Sequence, residues 1–329
     1  MTSLIIGAIS LSTVFLFGCV GEILTEKSGN LNLGIPGIMS LGALGGAVGI
    51  HMFYSIFSNP SGLGFLLIII SIIMAFIFAA LGGLIYAVIT ITFQANQNVT
   101  GLVLTTFGVG ITKFFATKMS GPVANIDGLT YEVMFRNASV TIKSLFKGYE
   151  KLGFFGEVFL SYGILVYLAI ILAVLASLFL SKTRTGLFLR AVGESPATAD
   201  AAGINVEKYK YLATCIGSMI AGLGGLYYVM DYASGVWSND AFGDRGWLAI
   251  ALVIFTIWRP NVSVLSSILF GGLFIIHNYI PGLGMGTQEL FKMAPYAVTI
   301  IVLVIISMLQ KREFQPPASL GLSYFREER

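Results

Sequence analysis

The chain has 329 residues, 56% of them hydrophobic and only 11% charged, with a mean hydropathy of +0.86 and a formal net charge of +3. A soluble domain of this size carries roughly a quarter charged residues, so the composition calls for a lipid environment. The charge is small and scattered, with no Lys/Arg run of the kind a nucleic-acid partner requires.

At about 20 apolar residues per crossing, spans are expected near 3–24, 35–57, 63–92, 100–117, 156–181, 207–231, 247–258, 262–280 and 295–310. The first lacks a basic leader and a small-residue cleavage site, so it is expected to stay as a span. The seventh is too short to cross alone. Asp231–Gly246, rich in Gly, Ser, Asn and Asp, is expected to dip into the protein interior, where irregular backbone is tolerated at membrane depth. Nine spans place the chain ends on opposite sides. Cys19 and Cys215 both lie in apolar spans and read as small core residues.

Glu22–Gly34 is the first polar interruption, with Asn30 and Asn32 ahead of Pro36 and Gly37. It reads either as a plain turn or as a helix opened to line a cavity. Gln94-Ala95-Asn96-Gln97-Asn98 is the second, an amide cluster that is either a hydrated loop or part of a polar path. Loop 118–155, with turn signals at Gly121-Pro122, Asn125 and Asp127-Gly128, is expected to form an outer rim or a passive connector. Glycine pairs recur at 42–47, 80–86 and 222–228, a spacing that lets helix backbones approach closely in lipid and that suits inverted-repeat organisation.

Residues 181–205 form a polar run between apolar spans. Ser195 caps a helix with Pro196 at its first position, Gly203 stops it, and Asn205 caps the next, with Glu207 in its first turn. A helix of about two turns over 196–202 is therefore expected. It buries little alone, so a partner surface is its natural purpose. The loop 182–210 carries five Lys/Arg residues and the tail 311–329 four, which places both on the cytoplasmic side; loop 118–155, with five of its own, blunts that signal. The tail, with Pro316-Pro317, reads as a short flexible end.

The pattern Gly193-Glu194-Ser195-Pro196, then Ala199, Ala201, Ala202, Gly203 and Ile204, resembles the coupling-helix signature of ABC-importer permeases of the branched-chain amino acid, ribose and nucleoside type. Gly29–Met39 and Gln94–Gly101 extend the resemblance over most of the chain, and Glu22-x-x-x-Glu26 with Ala95–Leu102 is most similar to the nucleoside branch, which is associated with basic membrane lipoproteins. Pro36 departs from that branch, where an acidic residue is common. The resemblance implies an all-α polytopic transmembrane permease in a bacterial cell membrane, with permease domain 1–310 and cytoplasmic tail 311–329. It further implies that Gly193, Glu194, Ser195, Pro196, Asp200, Ala201, Ala202 and Gly203 contact an ATPase, and that Asn30, Asn32, Gln94, Asn96 and Asn98 border the substrate path. The implied partners are a tandem two-domain ABC ATPase holding ATP and Mg, a second homologous permease, a lipid-anchored substrate-binding protein and a small neutral solute. No cofactor is expected on this chain.

No catalytic or metal motif stands in the sequence; His51 and His277 are isolated, and no G-x-x-x-x-G-K-[ST] occurs. An enzyme is therefore disfavoured, and ATP would be hydrolysed on another chain. Ionisable residues such as Glu22, Lys113, Glu157 and Asp231 are expected near span ends, which disfavours an ion-coupled secondary transporter. That transporter stays as the alternative from another class. A permease for a simple sugar such as ribose or galactose is the alternative within this one.

Overall fold

A computed structural model describes residues 2–57, 63–119, 130–143, 153–237, 243–309 and 314–325, and among these the regular elements are all helices. They are α1 Thr2–Glu26, α2 Ile35–Ile56, α3 Gly64–Ala87, α4 Gln97–Met119, α5 Tyr131–Lys143, α6 Gly153–Leu160 and α7 Ile164–Lys182. There follow α8 Arg184–Glu194, α9 Pro196–Ala201, α10 Val206–Tyr227, α11 Gly243–Phe255, α12 Pro260–Ile275, α13 Met285–Lys292 and α14 Ala294–Leu309. Among the described residues eight segments are long and apolar enough to cross a membrane, and within α11 Arg245–Phe255 is a shorter apolar stretch. The expected polytopic all-α architecture is what the chain forms.

Burial and composition go together in four of the spans. The spans of α1, α2 and α10 are mostly buried, at 67%, 83% and 72%, and the latter two have mean hydropathies of only 1.4 and 1.5. The α3 and α7 spans reach 2.9 and 2.8 with only 28% and 33% buried. Faces that meet lipid are selected for apolar bulk, whereas faces that meet other helices are selected for small residues and close packing.

The three glycine motifs meet in space. A Cβ added at Gly42 would strike the Gly222 backbone, and one at Gly83 would strike Ser218. The sequence echo between residues 80–86 and 222–228 thus marks one helix crossing. There α3 and α10 run antiparallel, and each ends in a wide π turn, Val88–Thr92 and Tyr228–Tyr232.

Three sequence expectations are revised. The span expected at 156–181 is broken: α6 ends at Leu160, Ser161–Gly163 is irregular, and α7 starts from Gly163 in extended backbone. The tail is no loose end, because residues 314–325 pack along the face carrying α8 and α9, called here the lower face. Glu22 lies in a span end yet is fully buried, as is Glu26, so buried acids do occur. Residues 120–129, which hold the rim's turn signals, and 238–242 of the expected dip lie outside the described residues.

Contacts fix the run of each helix. Tyr279 at the end of the α12 span bonds Ser3 at the start of α1, while Ser319 and Gly193 meet at the other end. The first residues of α1 and the packed tail therefore lie at opposite ends of α1.

Candidate functional site

The lower face is organised by α8 and α9. Thr183 caps α8, its hydroxyl accepting from the Gly186 amide at 3.0 Å. Ser195 caps α9, accepting from the Thr198 amide at 3.4 Å with Pro196 next in line, and Asn205 caps α10, accepting from Lys208 at 2.9 Å. Gly203 stands at φ +82°, a left-handed stop that a side chain would strain. A six-residue helix cannot hold itself. Here α9 rests on a small core of Val192, Ala199 and Val206, flanked by Ile204, Tyr209 and Tyr324, and presents Ala201, Ala202 and Gly203 outward. Gly193 is buried and Glu194 exposed beside it, and a cleft of about 580 Å³ bordered by Asp200, Gly203, Asn205 and Tyr324 opens next to the helix.

The stretch between α1 and α2 folds back on itself. After Glu26 the chain turns at Lys27–Gly29, with Gly29 at φ +88°, and climbs again beside α1. The Asn32 amide therefore reaches Glu22 Oε1 at 2.9 Å, and Ile35 packs near Gly18. Four helices, α1, α3, α4 and α10, clamp this short segment. Asn30 Nδ2 donates to Thr214 Oγ1 of α10 at 3.1 Å, and Tyr86 of α3 donates to the Leu31 carbonyl at 2.5 Å. The Leu31 amide donates to Gln97 Oε1 of α4 at 2.7 Å, and Thr105 of the same helix donates to the Leu33 carbonyl at 2.9 Å. The Trp258 indole N–H, from the turn after α11, donates to Glu26. Glu22, Asn30 and Asn32 are at most 1% exposed, yet Glu22 Oε2, Asn30 Oδ1 and Asn32 Nδ2 make no hydrogen bond within the chain. Such unpaired buried groups cost about 1–3 kcal/mol each, so they mark a place where a polar solute has something to gain.

The tail joins this segment to α9. Ser319 donates twice to the Gly193 carbonyl, from its amide at 3.0 Å and its hydroxyl at 2.6 Å. The Gly321 amide donates to Gly29 O at 3.1 Å, and Tyr324 donates its hydroxyl to Asp200 Oδ2 at 3.0 Å. The amide cluster anchors the same strap: Gln94 Nε2 donates to Tyr324 O and Gln97 Nε2 to Leu322 O. Asn96 instead caps α4, its Oδ1 accepting from the Val99 amide, and both Asn96 and Asn98 are exposed.

Half-buried at the turn, the Lys27 amine is pushed below its ordinary pKa by burial; Arg190 and Arg259 act in the same sense, opposed by Glu194 and Glu26. A half-buried ammonium near two guanidinium groups is a strong potential partner for an anion.

Sequence reasoning thus placed the helix and its caps, and the Asn30 and Asn32 it singled out lie buried in the fold-back. It missed Tyr86, Gln97, Thr214, Trp258, Ser319 and Tyr324 as their partners. Only the Glu22/Glu26 spacing, one helical turn on an apolar span, was a readable signal for the buried acids.

A sequence family described as branched-chain amino acid transport system / permease component matches residues 4–303. Over 324 residues the chain is 30% identical to the nucleoside ABC transporter permease protein NupC of Lactococcus lactis subsp. cremoris (strain MG1363), covering 96% of this chain and 95% of that one. It is 31% identical over 291 residues to the guanosine ABC transporter permease protein NupQ of Bacillus subtilis (strain 168), covering 86% and 85%. It is also 32% identical over 260 residues to TsgC13, provisionally named a glucose ABC transporter permease, of Haloferax volcanii, covering 79% and 72%. No solved structure matches the chain.

Proposed function

We infer the function from the family: the chain belongs to the branched-chain amino acid transport system / permease component family and is a bacterial membrane permease subunit. We propose that it imports nucleosides, driven by ATP that a separate ABC ATPase binds with Mg and hydrolyses. A second, homologous permease completes the path, and a lipid-anchored binding protein delivers the solute on the face opposite α9. NupC and NupQ carry nucleoside and guanosine in their names, which favours that solute; TsgC13 keeps a simple sugar as the second reading.

The observation that carries the coupling is the frame of hydrogen bonds from α9 to the buried fold-back. Asp200 holds Tyr324, Gly193 holds Ser319, and Gly29 holds Gly321. A push on the exposed face of α9 is thereby delivered to the segment carrying Asn30 and Asn32. Those amides offer donors and acceptors to an uncharged solute without the full charge that would trap it. Gln94 holds the strap, while Asn96 and Asn98 border the lower mouth of α4. ATPase contact falls on Glu194, Ser195, Pro196 and the outward Ala201, Ala202 and Gly203.

The test replaces Ala201 and Ala202 together with Glu. Both are exposed, so the permease still folds and reaches the membrane. ATPase retention in a pull-down and nucleoside uptake fall together in the variant. Wild-type retention with wild-type uptake refutes the docking role.

A further inference from the structure

A second cleft opens on the lower face, beside Lys27. Its volume is about 470 Å³, and Lys27, Arg190 and Arg259 line it, with Ser177, Ser181 and Asn261 adding polar groups. Those polar residues come from the last two turns of α7 and the first turn of α12, so the cleft sits where a span meets the headgroup layer. The acids near Lys27 are Glu194, which is exposed, and Glu26, which accepts from the Trp258 indole. Three cations against these two carboxyls leave a positive surplus, and burial already disfavours the charged Lys27. An anion held among the three would relieve that.

Backbone geometry supports a built site. Ile257 and Trp258 stand at φ +55° and +52°, left-handed positions that β-branched and bulky residues rarely adopt. This turn sends the Trp258 ring inward to wall the cleft and leaves Arg259 exposed at its rim.

The surface directly above the cleft distinguishes a lipid from a free anion. On α7, Val174 and Leu178 precede Ser177 and Ser181 by three residues each and are 46% and 48% exposed. On α12, Leu265 and Leu269 follow Asn261 at four-residue steps and are 75% and 49% exposed. Two bare apolar stripes therefore rise from one basic pocket. We propose that this cleft binds the phosphate headgroup of an anionic diacyl phospholipid, whose chains lie along α7 and α12. Basic pockets between spans at this depth suit such headgroups. The proposal needs only the membrane placement of the chain, so it stands or falls independently of the transported solute and of the ATPase.

The full-length permease is purified in detergent and titrated with phosphatidylglycerol or phosphatidylcholine, with bound lipid counted by native mass spectrometry. The wild type retains phosphatidylglycerol in preference. Arg190→Gln with Arg259→Gln lowers phosphatidylglycerol affinity roughly 25-fold, from about 1 kcal/mol per cation, and leaves phosphatidylcholine unchanged. Arg190→Lys with Arg259→Lys keeps most of the preference, which separates loss of charge from loss of fold. Leu265→Asn, on an exposed position, also weakens phosphatidylglycerol. Equal affinities for the two lipids in the wild type overturn the proposal, as does an unchanged Gln variant. Displacement of phosphatidylglycerol by excess inorganic phosphate would make it a free-anion site. If the Gln variant keeps wild-type lipid affinity but loses the ATPase in a pull-down, the cleft is a protein seat instead.

Discussion

The stretches 28–34 and 94–98 are both short, amide-rich interruptions between apolar spans, and by composition they look alike. Their surroundings are opposite. Asn30 and Asn32 are at most 1% exposed, clamped by α1, α3, α4 and α10, whereas Asn96 and Asn98 lie at the surface, one of them occupied in capping α4. What separates the two is connectivity. The first stretch follows a turn tight enough to send the chain back beside its own helix, so neighbouring helices close over it. The second simply hands one helix to the next, and only Gln97 turns inward. Amides in a membrane protein are thus informative about a path only once it is known whether other backbone surrounds them.

The sharpest way to break this contrast is to remove the strap that spans both stretches. A chain ending after Gln315 keeps every span, since α14 stops at Leu309, but loses the bonds to Gly29, Gly193, Gln97 and Asp200. At about 0.5–1.5 kcal/mol per bond, uptake falls by at least roughly tenfold while membrane insertion persists, as read by transport assays beside quantitative membrane blots. Full-rate uptake from this chain would show that the tail carries nothing.

A smaller effect is expected from Gln97→Ala. It leaves the buried Leu31 amide without its acceptor and frees Leu322, so the thermal midpoint of the purified permease drops, with a cost of about 1–3 kcal/mol, and uptake falls severalfold. The smallest belongs to Asn98→Ala on the exposed side of the same turn, where a surface change stays within about 0.5 kcal/mol and uptake remains within about twofold of wild type. If Asn98→Ala damaged transport more than Gln97→Ala, the assignment of the two stretches would be reversed.

Much of the fold was legible because its signals are local. Apolar runs gave the spans, and the lower-face helix could be bounded almost to the residue: expected over 196–202, it runs Pro196–Ala201, with Ser195, Asn205 and Gly203 in the capping and stopping roles their chemistry suits. The break at Ser161–Gly163 was hidden because the residues on either side, Glu157 aside, are mostly apolar and read as one continuous span. The fold-back and the docked tail were hidden for a different reason. Their stability comes from pairs far apart in the chain, such as Ser319 with Gly193 and Asn30 with Thr214, and no periodicity announces such a bond. Pro316-Pro317 suggested a loose end, but a stiff, extended backbone is equally suited to lie as a strap.

The account depends most on the claim that movement of solute through this subunit is driven by ATP. Nucleoside uptake should be measured in cells carrying the complete import system, with proton and sodium gradients collapsed while ATP is held constant. The account predicts that uptake of guanosine or uridine continues under those conditions and stops when ATP is depleted. Uptake that vanishes with the gradients, ATP unchanged, would contradict it and identify an ion-coupled carrier.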